Sequence, residues 1–215
     1  MADAKVQANF LLVVYRMPAK PTAGRVAVWR QLKKIGAIYL HQSVCVFIHN
    51  ARTRRELQPI LNRITQASGE YHLMPLKRPQ PEEYAKLVGQ FTQQTARQYR
   101  EIVENCEVNF QKEIEFETFR KNFTYEEAEE IRIEFDKIAN WYDQVRQRDW
   151  FDAPYRADAE AWLKRSEKLL DEFEAKVYEV EESEPALPET SNGDRARPRR
   201  GRRPRMPARP AEQTA

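Results

Sequence analysis

The 215-residue chain is long enough for one or two folded domains, and its 41% hydrophobic content, with 10 Phe, 9 Tyr and 4 Trp, excludes wholesale disorder. Only 6 Gly and no visible repeat period exclude collagen-like and low-complexity classes. The net charge of +3 hides three blocks: residues 1–79 carry 13 Lys/Arg against 3 Asp/Glu, residues 80–194 carry 15 against 29, and residues 195–209 carry 8 Arg and no acid.

The longest apolar run, Phe10-Leu11-Leu12-Val13-Val14-Tyr15, is far short of the roughly 18–20 residues a membrane-spanning helix needs. Met1-Ala2-Asp3-Ala4-Lys5 lacks the pattern of a secretion signal, so a cytoplasmic protein without a membrane partner is expected. Cys45 and Cys106 form no CxxC pair, which fits reduced thiols.

Residues 9–16 read as a buried strand, and Met17-Pro18-Ala19-Lys20-Pro21 as a loop, because two prolines forbid continued pairing. A basic amphipathic helix is expected over 22–35, with Val26, Val28, Trp29, Leu32 and Ile35 on its apolar side and Gly36 as its stop. Two short strands follow, 37–40 and 44–48, separated by His41-Gln42-Ser43. The spacing of Leu57, Ile60, Leu61 and Ile64 predicts a helix over 53–67, closed by Gly69, and 71–76 reads as a last strand. The fold class is therefore α+β: a ferredoxin-like β-α-β-β-α-β domain over residues 8–79, with two helices on one sheet face.

Past Pro79 the pattern turns helical. Tyr84, Leu87, Val88, Phe91, Thr95, Tyr99, Ile102, Cys106 and Phe110 predict one long amphipathic helix from Pro81 to about residue 120. Thr124 followed by Glu127 is a capping box that opens a second helix, with Ala128, Ile131, Phe135, Ile138, Ala139, Tyr142 and Val145 as its stripe. A third helix, entered at Pro154, carries Ala159, Trp162, Leu169, Leu170, Phe173 and Val177. Residues 80–180 thus form a helical hairpin or three-helix bundle, and 181–215 a disordered Pro/Arg-rich tail.

Catalytic motifs are missing from the sequence: there is no Gly-rich phosphate loop, GxSxG, HExxH or Cys/His cluster of metal-binding spacing. No enzyme, cofactor or metal is therefore expected. His41, His49 and His72 sit singly in or beside strands, and Cys45 reads as a small core hydrophobe. The acids Glu126, Glu127, Glu129, Glu130, Glu172 and Glu174 read as solvated helix faces, with Lys and Arg following at helical spacing. The basic residues suggest more. Guanidinium groups bind phosphates and other tetrahedral oxyanions in a bidentate way, so Arg16, Arg25, Arg30, Lys33 and Lys34 are the expected anion or nucleic-acid contacts, joined by Arg199, Arg200, Arg202 and Arg203 of the tail. Self-neutralisation of the front cations by the acidic rear half is the competing reading. Trp29 reads as core, with a base-stacking platform as the alternative.

The runs Leu12-Val13-Val14-Tyr15-Arg16-Met17-Pro18, Arg25-Val26-Ala27-Val28-Trp29-Arg30-Gln31-Leu32-Lys33-Lys34-Ile35-Gly36-Ala37 and Leu40-His41-Gln42-Ser43-Val44 resemble the N-terminal domain of the chromate-resistance regulator ChrB. Lys121-Asn122-Phe123-Thr124-Tyr125-Glu126-Glu127 and Arg146-Gln147-Arg148-Asp149-Trp150-Phe151-Asp152-Ala153-Pro154 are similar to that family's helical half. The resemblance covers residues 8–180 and implies a chromate-responsive regulator acting on DNA, here with only an arginine-rich tail where full-length members carry a further domain. The first 80 residues also look like the small ferredoxin-like nuclease subunit of CRISPR adaptation complexes and part of PaaX-type repressors. In that nuclease an aspartate ends the first strand, whereas this strand ends Tyr15-Arg16, so metal-dependent cleavage is not expected. DNA is the expected partner; the alternative is an oxyanion-sensing or protein-interaction module without direct DNA contact, with chromate or another oxyanion as ligand and a second copy in a homodimer as a further partner.

Overall fold

The computed structural model describes residues 9–183. Four strands, β1 (Phe10–Arg16), β2 (Ile38–His41), β3 (Val44–Ile48) and β4 (Glu70–Leu76), form one antiparallel sheet in the order β2-β3-β1-β4. Helix α1 (Thr22–Lys34) links β1 to β2, and α2 (Ala51–Gln66) links β3 to β4. The second half is helical: α3 (Pro81–Glu104), a π-helical segment (Asn105–Phe110), α4 (Gln111–Phe119), α5 (Tyr125–Arg146) and α6 (Arg156–Ser183).

Side chains alternate across β1, and both of its faces are buried. Leu11, Val13 and Tyr15 join Cys45 and Phe47 in a core with Val28 and Leu32 of α1 and Leu57, Ile60, Leu61 and Ile64 of α2. Phe10 on the other face joins Ile38, Val46 and Ile48 in a core with Leu87 and Phe91 of α3. Phe10 stacks on Phe91 at 5.9 Å, and Phe91 meets Phe151 at 6.3 Å. A third core, among α3, α5 and α6, holds Tyr99, Ile102, Phe135, Leu170 and Phe173.

Local chemistry sets the element ends. Asn50 caps α2 by accepting from Thr53 N at 2.8 Å, and Thr124 caps α5 by accepting from Glu127 N at 3.3 Å. At the end of α1, Gly36 N donates to Lys33 O and Ala37 N to Leu32 O, each at 3.0 Å, with Gly36 at φ +95°. This is a Schellman ending, which favours glycine. The end of α2 differs from expectation. The left-handed residue is Ser68 (φ 57°), and Gly69 is required instead for space, since a Cβ there would lie 2.5 Å from Arg16 O.

The single long helix expected over 81–120 carries a π-helical segment at its centre. Ile102, Cys106, Phe110 and Ile114 are spaced by four, and all four are buried. Four residues overrun one α-helical turn, so the wider π turn lets this run keep facing the core. The tail expected over 181–215 lies outside the described residues from 184 onward, and α6 runs on to Ser183.

Replacing Gly36 with alanine forces a left-handed alanine whose Cβ lies 3.3 Å from Arg148 Cδ. The variant is expected to lose about 1–2 kcal/mol in urea unfolding, and the same change at Gly89, where a Cβ meets nothing within 4 Å, no stability at all.

Candidate nucleic-acid interface

Helix α1 divides its apolar residues between two faces. Val28 and Leu32 are fully buried against the sheet, whereas Val26 and Trp29 lie on the outer side, with Trp29 46% exposed. The expectation of Trp29 as core is therefore overturned: the helix carries more apolar residues than its sheet-facing stripe can hold. Trp29, Arg25, Val26 and Thr22 instead line a groove of about 280 Å³ with Arg16 and Met17 from the end of β1 and Gln42 and Ser43 from the β2–β3 turn. The turn is pinned to β1 by Tyr15 N donating to Ser43 O at 3.0 Å. The hydroxyls of Tyr15 and Tyr39 meet at 3.0 Å.

The structure thus brings Arg16 and Arg25 together beside an exposed indole. Arg30, Lys33 and Lys34 are exposed on α1 but do not line this groove. Lys33 sits 5.4 Å over the Tyr39 ring, and Lys34 lines a different groove with α2 and α5. Arg199, Arg200, Arg202 and Arg203 lie outside the described residues. Among the described residues, Arg16, Arg25, Arg30, Lys33 and Lys34 take part in no ion pair. The acidic rear half neutralises its own cations instead: Arg132 of α5 holds Glu174 of α6 with two hydrogen bonds and has Asp171 at 3.6 Å.

Beside the packing of α3 on the sheet, the halves also meet through one turn after α5. Arg148 donates from Nη1 to Lys34 O at 2.6 Å and from Nε to Gln144 O at 2.9 Å. Asp149 accepts from Ala153 N at 2.9 Å and from the Tyr99 hydroxyl at 3.2 Å. Phe151 packs on the sheet-facing core, and Ala153 is buried. Asp152 and Tyr155 adopt positive φ, which closes the turn tightly before α6.

A family model described as Protein ChrB, N-terminal, matches residues 25–184. That span runs from α1 to the end of α6, three quarters of the chain. The chain belongs to this family. No curated protein matches it. Arg25, Trp29 and the Arg148–Ala153 turn all lie inside the matched span, while Arg16 precedes it.

The other chemistry-bearing groups of this ChrB-type chain are tied into structure. His49 accepts from Arg54 Nε at 3.0 Å, and its pKa is lowered by partial burial and by the Arg54 and Lys77 charges. Glu126, Glu129, Glu130 and Glu172 are exposed as expected, but Glu127 is half-buried and Glu174 faces Arg132. Glu117, which the sequence did not single out, is fully buried and accepts from Asn122 Nδ2 at 2.7 Å, with Arg120 at 3.6 Å. Its carboxylate lies with those of Glu113 and Glu127 within 4.8 Å, and Asn122 reaches Glu127 at 3.2 Å. These bonds latch the end of α4 to the start of α5. Among the described residues no helix is long and apolar enough to cross a membrane.

Cys45 is fully buried, and burial pushes its thiol up to about 12; burial likewise raises Cys106 and the phenols of Tyr15, Tyr39 and Tyr99. The folded state therefore favours the neutral forms. Their contribution to stability is complete below the ordinary values, 9.0 for cysteine and 10.0 for tyrosine, and is lost as the pH rises beyond them. The melting temperature is expected to fall steadily from pH 9 to 11 in calorimetry, and neither native thiol is expected to react rapidly with a disulfide reagent at pH 8.

Proposed function

We propose that this chain is a non-enzymatic regulator of chromate resistance that acts in the cytoplasm and binds DNA through its basic front half. The reading is supported most by the groove that Arg16 and Arg25 line with the exposed Trp29, on a face whose cations take part in no ion pair among the described residues. Guanidinium groups without carboxylate partners take phosphate oxygens in a bidentate way, and an exposed indole adds a flat apolar contact. Arg30, Lys33 and Lys34 extend the same positive face along α1, with the arginines of residues 195–209 adding charge without sequence preference. We read the sheet and its two linking helices as a ferredoxin-like module, with residues 80–180 as a helical partner domain. A homodimer would be compatible with the edge strand β4, where Leu73 and Met74 are exposed.

Fluorescence anisotropy with duplex DNA tests the reading. Affinity is expected to fall linearly in log–log form with salt, and Arg25→Gln to lower the slope by about 1. Absence of binding at low salt overturns it. A second reading, supported by the same pair Arg16 and Arg25, is capture of an oxyanion such as chromate without DNA contact. Calorimetry with chromate and sulfate separates the two, since that reading requires heat from chromate that Arg25→Gln abolishes.

A further inference from the structure

A second groove, of about 480 Å³, opens where α1, α2 and the end of α5 meet. Four cations line it: Lys34 of α1, Arg52 and Arg63 of α2, and Arg148 from the turn after α5. One carboxylate, Glu56, accompanies them, and it already accepts from Arg52 Nε at 2.8 Å. Ile35, Pro59 and Ile60 supply an apolar wall, and Gln31 and Gln144 supply amides. We propose that this groove binds a small phosphorylated organic molecule of nucleotide size, at a place separate from the Arg16–Arg25–Trp29 groove.

The arrangement of charge carries the inference. Arg148 is held in place by Lys34 O and Gln144 O, and its stem passes where a Cβ on Gly36 would lie 3.3 Å from Arg148 Cδ, so its position is fixed by the fold. It is ion-paired with no carboxylate among the described residues; burial and then the nearby Arg52 charge disfavour its charged form, and the Glu56 carboxylate offsets them only in part. Like charges brought together from two halves of a protein are relieved by an anion between them. The volume lies in the usual range for small-molecule sites and far exceeds what one tetrahedral ion fills. The apolar wall beside the cations asks for a ligand with a ring or carbon part as well as phosphate. Pro59 contributes to that wall from inside α2, where it leaves the Arg55 carbonyl without its helical partner.

Because Arg148 comes from the rear half and the other three cations from the front, a bound phosphate would bridge the two halves. Occupancy is then expected to stabilise the whole chain. The proposal does not rest on DNA binding, and the test separates the two. Isothermal calorimetry and thermal unfolding of the full chain would use ADP as probe, with sulfate at matched ionic strength and a duplex DNA as further arms. ADP is expected to bind and raise the melting temperature, and Lys34→Gln with Arg63→Gln, both exposed positions, to weaken it by about tenfold or more. Arg25→Gln, outside this groove, is expected to leave ADP binding unchanged. No ADP binding overturns the proposal, as does binding that survives the double variant or that sulfate displaces equally well. If the duplex displaces ADP and loses affinity in the double variant by the same factor, the groove serves backbone phosphate and the small-molecule site is rejected.

Discussion

The sheet of this protein has two apolar faces, and covering the second one decides how the rest of the chain must lie. Phe10, Val46 and Ile48 cannot face water, and α1 and α2 occupy the opposite side. The start of α3 therefore folds back across the sheet, bringing Leu87 and Phe91 onto it. Once α3 is fixed there, the long helical run it begins carries Tyr99 and Ile102 into the third core, where α5 and α6 complete the packing. The turn at Arg148–Ala153 then falls beside the end of α1, with Phe151 on the sheet core and Arg148 on Lys34 O.

This way of joining the halves explains the electrostatics. A strongly basic front and a strongly acidic rear could have met through ion pairs, which would have neutralised the cations. They meet instead through aromatic and aliphatic side chains and through one guanidinium bound to a backbone carbonyl. Apolar contact is non-directional and indifferent to the sign of the surrounding charge. The cations of α1 are therefore left on the surface, while on the rear helices Arg132, Arg120 and Lys164 pair with Glu174, Glu117 and Glu160. Arg52 and Arg148 share a groove because the apolar contacts fix the approach of the halves, whatever the repulsion between two guanidinium groups.

Most elements were legible in the sequence because their signals are local. Thr124 with Glu127 placed the start of α5, Gly36 the end of α1, and the spacing of Leu57, Ile60, Leu61 and Ile64 the buried face of α2. The continuous apolar run Phe10–Tyr15 already carried the signature of a strand covered on both sides, but not which later segment covers the second. The π-helical segment was hidden, since a spacing of four is read equally as α-helical. Trp29 departs from the core position its spacing predicts because apolar periodicity in α1 is broader than its one buried stripe. Glu117 and Arg148 carried no local signal at all: the burial of one and the groove position of the other depend on helices dozens of residues away.

The two grooves differ in how they are built, and the difference bears on what each can do. Arg16 and Arg25 stand on neighbouring segments of the front module, and the tight approach of Gly69 to Arg16 O fixes only the backbone beneath them. Their side chains are exposed and adjust to a backbone of variable shape, which suits contacts that position a polyanion without reading it. Arg148 is anchored by two carbonyls and framed by a left-handed glycine, so its guanidinium is oriented before any ligand arrives. Preorganised donors lose little freedom on binding and discriminate by geometry. A surface of the first kind tolerates many partners, whereas one of the second kind selects by shape. Placing the selective groove across the seam between the halves makes the packing of that seam, and not the sign of the surface charge, the variable a bound anion would control.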